Sequence, residues 1–323
     1  MYKKFFGLSR NPFDLTPDPA FFVSTKRHNE ALATLSYGVR CHKGFVVITG
    51  EVGTGKTLLL RCLLRLLKES QDVSYAYLFN CRLTDTEFLQ YILSDFGLPA
   101  SGKNKSELLL EFSQFLITRG VKKLTTVLIV DEAHHLSEEL LEEIRLLSDL
   151  ETNNDKLLQI VLVGQPELDE TLDSTRMRQL KQRIALRAHL GPLSFEETRE
   201  YIAERLRIAG AEAQGSGIFC AEAIESVYSH SGGLPRLVNS ICENALITAY
   251  TRRSTTVTAD IIDDVLRELR VDVTISESDR VKSQSEAEIE RAASLLREIF
   301  AYLSKPSTRK PELGSCRGGT EQA

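Results

Sequence analysis

The residues of this chain best suited to chemistry are a glycine-rich turn closing in Gly55-Lys56-Thr57, and two adjacent acids, Asp131 and Glu132, that end an apolar run. The turn follows Phe45-Val46-Val47-Ile48, bounded like a buried strand, and precedes Thr57-Leu58-Leu59-Leu60, which opens a segment long enough for a helix. Gly50, Gly53 and Gly55 allow the backbone to curl with its N–H groups inward, and the helix that follows adds its positive N-terminal end. Such a loop cradles phosphate. The whole run Gly50, Glu51, Val52, Gly53, Thr54, Gly55, Lys56, Thr57 and Leu58 is therefore expected to bind ATP. Lys56 would reach the β- and γ-phosphates, and the Thr57 hydroxyl would sit on Mg²⁺.

The run Val127-Leu128-Ile129-Val130 reads as a buried parallel strand whose tip carries the two acids. Asp131 is expected to hold Mg²⁺ through water, and Glu132 to polarise the attacking water as general base. Two acids at a strand end are unremarkable alone; with a phosphate cradle upstream they point to hydrolysis beyond nucleotide binding.

These residues need a frame. Further apolar runs at Val73 to Phe79 and Leu158 to Val163 alternate with helix-like stretches at Lys26 to Arg40, Thr86 to Phe96, Ser106 to Thr118 and Ser137 to Leu150. Alternation of this kind implies an α/β fold, a parallel sheet with helices on both faces. Residues 1–24, rich in Phe and Pro, read as a packed N-terminal arm, and residues 25–192 as the nucleotide-binding core. At Ser194 and Glu197 a capping box opens a smaller all-helical domain, residues 193–270, with helices to about Ile208 and then near 219–230, 235–252 and 258–269. A linker and one further helix are expected over 271–304, the helix bearing an apolar stripe of Ile289, Ala292, Leu296, Phe300 and Leu303, and a disordered tail over 305–323.

Composition narrows the class. The 323 residues are 42% hydrophobic, enough for a large core or two smaller ones. A formal charge of -5 and a pI near 5.8 give no global basic footprint of the kind nucleic-acid binders carry. The six cysteines show no Cys-x-x-Cys spacing, so reduced thiols and a cytoplasmic location are expected. No stretch approaches 18 consecutive apolar residues, so no membrane span is expected, and attachment to the inner membrane would be peripheral, through partners.

The cradle, the acidic strand tip and the helical C-terminal domain together resemble the AAA+ ATPases, in which nucleotide lies between an α/β core and a helical lid. In finer detail, Phe5-Phe6-Gly7-Leu8 with Asn11-Pro12-Phe13, Thr16-Pro17-Asp18-Pro19, Val130-Asp131-Glu132-Ala133-His134, Val163-Gly164-Gln165-Pro166-Glu167-Leu168 and Gly232-Gly233-Leu234-Pro235-Arg236-Leu237-Val238-Asn239 are similar to the secretion ATPases of the general secretion pathway A type. The similarity covers about residues 2–270 and extends, less closely, to transposition regulators and origin-recognition initiators. It implies an ATP-driven homo-oligomer, a ring in this family, that drives or regulates assembly of a secretion or exopolysaccharide-export complex. The length fits the shorter, exosortase-associated members better than those that continue into a membrane span and a peptidoglycan-binding region. A DNA-bound, ATP-switched regulator of the transposition type is the alternative.

The resemblance also assigns residues. Gln165 occupies the polar sensor position that would contact the γ-phosphate or the attacking water, and Arg236 that of the lid arginine that reports nucleotide state. Between Arg176 and Leu190 stand Arg176, Arg178, Lys181, Arg183 and Arg187, with no acid. A trans-acting finger in a neighbour's site, with Arg183 first and Arg187 second, competes with a DNA-backbone stripe and with a charged surface helix. His28 and Glu30 are placed near the adenine by the resemblance, or else on plain helix surface. His134 and His135, adjacent in sequence, would diverge on a helix and could not jointly hold a metal.

Overall fold

Strand β1, Phe45–Gly50, is buried at every position, which is why its sequence is a continuous apolar run and not an alternating one. In a computed structural model, which describes residues 2–79, 81–151, 155–211 and 217–269, it lies inside a parallel sheet with β2 (Val73–Leu78), β3 (Thr125–Val130), β4 (Leu158–Gly164) and β5 (Ile184–Leu190). The strand order is β2-β3-β4-β1-β5. The α/β class expected from the sequence holds, and the linker, helix and tail expected beyond residue 270 lie outside the described residues.

Each strand splits its side chains between two layers. Phe45, Val47, Leu128, Val130, Ile160 and Leu162 face one side, packing with helices α4 (Asp85–Asp95), α5 (Lys105–Val121), α6 (Glu138–Leu147) and α7 (Pro166–Asp173). Val46, Ile48, Val127, Ile129, Val161 and Val163 face the other, beneath α2 (Lys26–Arg40) and α3 (Lys56–Lys68). Reciprocal capping boxes at Thr84/Glu87 and Asn104/Glu107 set where α4 and α5 start.

Strand β5 lies in the segment that the sequence presents as a basic run. It is the sheet's outer strand beside β1, and its residues alternate between half-buried (Ile184, Leu186, Ala188) and exposed (Ala185, Arg187, His189). Half of its side chains face solvent, so charge masked its period of two. The short α8, Arg178–Lys181, precedes it.

Helices α9 (Phe195–Ile208), α10 (Ala221–Ser231), α11 (Pro235–Thr251) and α12 (Ala259–Leu269) form a third cluster, opened by the Ser194/Glu197 capping box. The N-terminal arm belongs to this cluster by packing: Tyr2, in the short α1 (Tyr2–Phe5), Leu8, Phe13 and Phe21 are buried among Val238, Ile241, Leu246 and their neighbours. Ser9 and Arg10 donate backbone N–H groups to the Ala209 carbonyl, and the Tyr2 hydroxyl donates to the Glu243 carboxylate at 2.8 Å. The Arg205 guanidinium, buried, donates to the Pro12 carbonyl and lies over the rings of Phe21 and Tyr201, 5.1 and 5.4 Å from their centroids.

Phe13 is fully buried and meets Phe219 edge to face. Phe13→Ala should therefore lower stability by about 3–5 kcal/mol in urea denaturation, the cost of a cavity in a packed core. A change within about 0.5 kcal/mol, the range of surface substitutions, would mean that the arm is not part of that core.

Candidate functional site

The carboxyl ends of β1, β3 and β4 meet the lid helices around one cavity of ≈ 360 Å³. Val52, Gly53, Gly55, Lys56, Thr57 and Leu58 line it from the glycine-rich loop, Glu132 and Gln165 from the strand ends, and Arg236 and Asn239 from α11. Crevices outside the carboxyl ends of parallel strands are where α/β sheets take ligands. A more open hollow of ≈ 770 Å³ adjoins it, shares Asp14, Thr16, Pro17, Asp18 and Arg205 with it, and contains no residue of the loop.

The loop's shape is set by glycine where it must be. Gly55, at φ +100°, stands at the N-cap of α3, a backbone state that side chains resist. Gly53, at φ +88°, lies against the lid: a Cβ there would come within 2.9 Å of the Arg236 Cβ. The Arg236 N–H donates to the Gly53 carbonyl at 3.1 Å, so the first turn of α11 is hydrogen-bonded to the loop itself. Pro235 at that first turn has no N–H to leave unsatisfied. Helices α3, α7 and α11 all begin at the cavity's edge, and their N-terminal ends make it attractive to anions.

Lys56 is buried beneath the loop, where its ammonium donates to the carbonyls of Gly50 at 2.6 Å and Glu51 at 2.9 Å. One of its three N–H donors is left for a ligand. Burial pulls its pKa below the ordinary lysine range, while Glu132, Asp131, Glu51 and Glu167 oppose that fall. A cation in that position favours an anionic oxygen at the cavity. Asp131, also buried, accepts from the Tyr77 hydroxyl at 2.8 Å and from the Glu132 N–H at 3.0 Å. Burial raises its pKa, and these two donors and Lys56 hold it back. The donor set at this end, a carboxylate and the Thr57 hydroxyl, is of the hard-oxygen kind that Mg²⁺ takes.

Glu132 sits at φ +53°, a left-handed state uncommon for a side-chain-bearing residue, which turns the chain sharply out of β3. Its Oε2 is buried without a hydrogen-bond partner, 3.5 Å from the His134 Nδ1. His134 lies against Gln165: the Gln165 backbone N–H points at His134 Nδ1 at 3.4 Å, and the Gln165 side-chain amide is 2.9 Å from His134 Nε2. The two neighbouring histidines do not diverge. Ala133–His135 is a tight 3-10 turn, not an α-helix, and the ring centroids stand 4.0 Å apart.

His28 lies under the loop and not among the cavity's lining residues. A carbonyl only accepts, so the His28 Nε2, 3.0 Å from the Thr54 oxygen, carries the proton and Nδ1 accepts from the Thr25 hydroxyl at 2.8 Å. Arg183 and Arg187 are also away from the cavity. Arg183 donates to Asp149 and to the Ser148 hydroxyl, and Arg187 to Asp169 at 3.0 Å. Arg176 pairs with Glu138 and Lys181 with Asp173, so acids from other elements face a run that has none of its own. Sequence reasoning did not single out Tyr77 and Asn239. Tyr77 stands next to last in a recognisable strand beside the acidic tip, and Asn239 closes the motif that begins at Gly232, so each had a usable signal.

Residues 39–172 match the model of the AAA domain family. The chain is 44% identical over 255 residues to the "General secretion pathway protein A" of Aeromonas hydrophila, covering 79% of this chain and 46% of that protein. It thus spans less than half the length of that relative. It is 23% identical over 264 residues to the "ATP-dependent target DNA activator B" of Escherichia phage Mu, covering 80% of this chain and 77% of the phage protein. The ORC2 protein of Aeropyrum pernix, solved with ADPNP and ADP, superposes with a TM-score of 0.61 at 18% identity, over 80% of this chain and 72% of that one. Among the described residues, no helix is long and apolar enough to cross a membrane.

Burial holds the His28 pKa below its ordinary value, so over the acid range the unfolded chain binds this proton more readily than the folded one. Stability is then unaffected by His28 above about pH 7 and falls as pH drops through about 6.5, the unfolded value. Urea denaturation at a series of pH values should show the wild type losing stability more steeply on acidification than His28→Gln. Parallel curves would contradict the buried, neutral imidazole.

Proposed function

We propose that the chain, whose residues 39–172 match the AAA domain family, is an AAA+ ATPase that hydrolyses ATP in the cavity between loop and lid, and that the cycle drives or regulates assembly of a secretion or export complex. One observation carries the catalytic part: Lys56, Thr57, Glu132, Gln165 and Arg236, drawn from four separate stretches of sequence, line a single cavity.

The loop N–H groups and Lys56 would bind the phosphates, with the α3 N-terminus adding its partial positive charge. Mg²⁺, held by Thr57 and by Asp131, would neutralise charge on the phosphate oxygens. Glu132 would orient a water and accept its proton, its buried and unpartnered oxygen being available for that bond. Gln165 would donate to the γ-phosphate, and Arg236 would read the nucleotide from the lid. The arm closes the cavity through Asp14 to Asp18, and Arg61 of α3 donates to the Pro17 carbonyl, so the arm is held from both sides. Arg183, or else Arg187, would complete a neighbouring copy's site in a homo-oligomer, after leaving the acid that now faces it.

The export reading rests on similarity to the secretion pathway protein. The DNA reading draws on the phage relative. Against it, four of the five basic side chains between Arg176 and Arg187 are paired with acids, which reduces their use for phosphate backbones.

Lys56→Ala should abolish tight ATP binding in titration calorimetry, while Glu132→Gln should keep ATP and lose about 10²-fold or more in turnover. Chelating Mg²⁺ with EDTA should stop phosphate release and leave the fold intact. Wild-type turnover by Glu132→Gln would remove its assignment as base. A second prediction concerns assembly: mixing Arg183→Ala with Lys56→Ala protein should restore part of the turnover, since each supplies what the other lacks. Absence of rescue where mixed oligomers demonstrably form would exclude Arg183 as the trans group.

A further inference from the structure

His134 has no part in the hydrolytic roles assigned to Lys56, Glu132, Gln165 and Arg236, yet its ring is placed between the sensor glutamine and the base. Its side chain is only 8% exposed, and both ring nitrogens face functional partners: Nε2 meets the Gln165 side-chain amide at 2.9 Å, and Nδ1 meets both the Gln165 backbone N–H at 3.4 Å and the Glu132 Oε2 at 3.5 Å. That Glu132 oxygen is buried and has no hydrogen-bond partner. A neutral imidazole carries one proton, on one nitrogen, and so cannot satisfy these neighbours in more than one way at a time.

Two arrangements are open to the ring, and only one of them keeps the bond that Nδ1 accepts from the Gln165 backbone N–H. In the first, Nε2 carries the proton and donates to the Gln165 side-chain oxygen, while Nδ1 accepts from the Gln165 backbone N–H; Glu132 then gains no bond from the ring. In the second, with the Gln165 side-chain nitrogen toward Nε2 as it stands here, its NH₂ donates to Nε2, the proton sits on Nδ1, and Nδ1–H faces Glu132 while the Gln165 backbone N–H gives up its 3.4 Å contact. The choice follows the amide. An amide whose NH₂ is engaged by an anionic oxygen in the cavity must turn its own oxygen toward His134, and that selects the first arrangement.

We infer that His134 is a positioning residue that couples Gln165 to Glu132: with a γ-phosphate on Gln165 the imidazole leaves Glu132 free for water, and without one it tethers Glu132 through Nδ1–H. This deepens the hydrolysis reading and rests on it. Burial, with His135 alongside, holds the His134 pKa below its ordinary value, so the ring is neutral and has a tautomer to switch. Glu132 and Glu167 act against that fall, and Lys56 acts with it. The tight turn over Ala133–His135 and the fully buried Ala133 anchor the ring's backbone.

The test uses the full chain with ¹⁵N-labelled histidine and Mg²⁺, bound either to ADP or to the β,γ-imido analogue of ATP. Nitrogen NMR distinguishes a protonated from an unprotonated ring nitrogen. His134 should be protonated at Nδ1 with ADP and at Nε2 with the imido analogue, and Gln165→Ala should abolish the difference. His134→Ala should lower kcat by at least about tenfold with an unchanged dissociation constant for the analogue, and should cost little more when added to Gln165→Ala, because coupled residues are not additive. Binding is read separately by calorimetry, so a chain that does not take the analogue would defeat the ATPase reading itself. Tight binding with the same His134 tautomer in both states, or losses from His134→Ala and Gln165→Ala that multiply, would overturn the coupling.

Discussion

The hydrogen bond from the Arg236 backbone N–H to the Gly53 carbonyl is the contact on which the rest of the site depends. It ties the lid to the turn that would carry the phosphates, and there is room for it because residue 53 has no Cβ. On the other side of the same loop, His28 donates to the Thr54 carbonyl, and a Cβ at Gly55 would reach within 3.0 Å of its Nε2. The loop is therefore clamped between α2 of the core and α11 of the lid. A ligand that reshapes residues 53 to 55 must act on both at once.

That clamp explains the division of labour around the cavity. Charge is held where bonds already restrain it: Lys56 by two carbonyls, Asp131 by Tyr77 and the next N–H. Glu132, by contrast, leaves a buried oxygen unpaired at a left-handed backbone position. Unpaired buried oxygens cost about 1–3 kcal/mol, and such costs persist where a bound group or a second state relieves them. The arm extends the same logic outward, since it packs with the lid through Phe13 and Phe21 yet borders the cavity through Asp14 to Asp18.

Much of the architecture was legible because burial on both faces produces unbroken apolar runs: β1, β3 and β4 could be read directly, as could α2 and the capped start of α9. Strand β5 was not, because an edge strand with one solvent face hides its alternation behind the exposed Arg187 and His189. At the site, the loop and the Asp131-Glu132 tip are contiguous motifs and so are visible in one dimension. The proximity of His134 to Gln165 is not, since it requires β3 and β4 to be adjacent in the sheet and the turn after β3 to be 3-10. An α-helical turn would have sent the two histidines apart, which is why adjacency misled. The ion pairs of Arg176, Lys181, Arg183 and Arg187 come from residues 138 to 173, and no charge pattern within the run itself could announce them.

Amide hydrogen exchange at Arg236 reads the central contact directly. If nucleotide acts on the lid through the loop, protection of this amide should differ between the nucleotide-free, ADP-bound and ATP-bound states, rising when ATP is held and falling after hydrolysis. Protection that is the same in all three states, with nucleotide binding verified in parallel, would contradict the account.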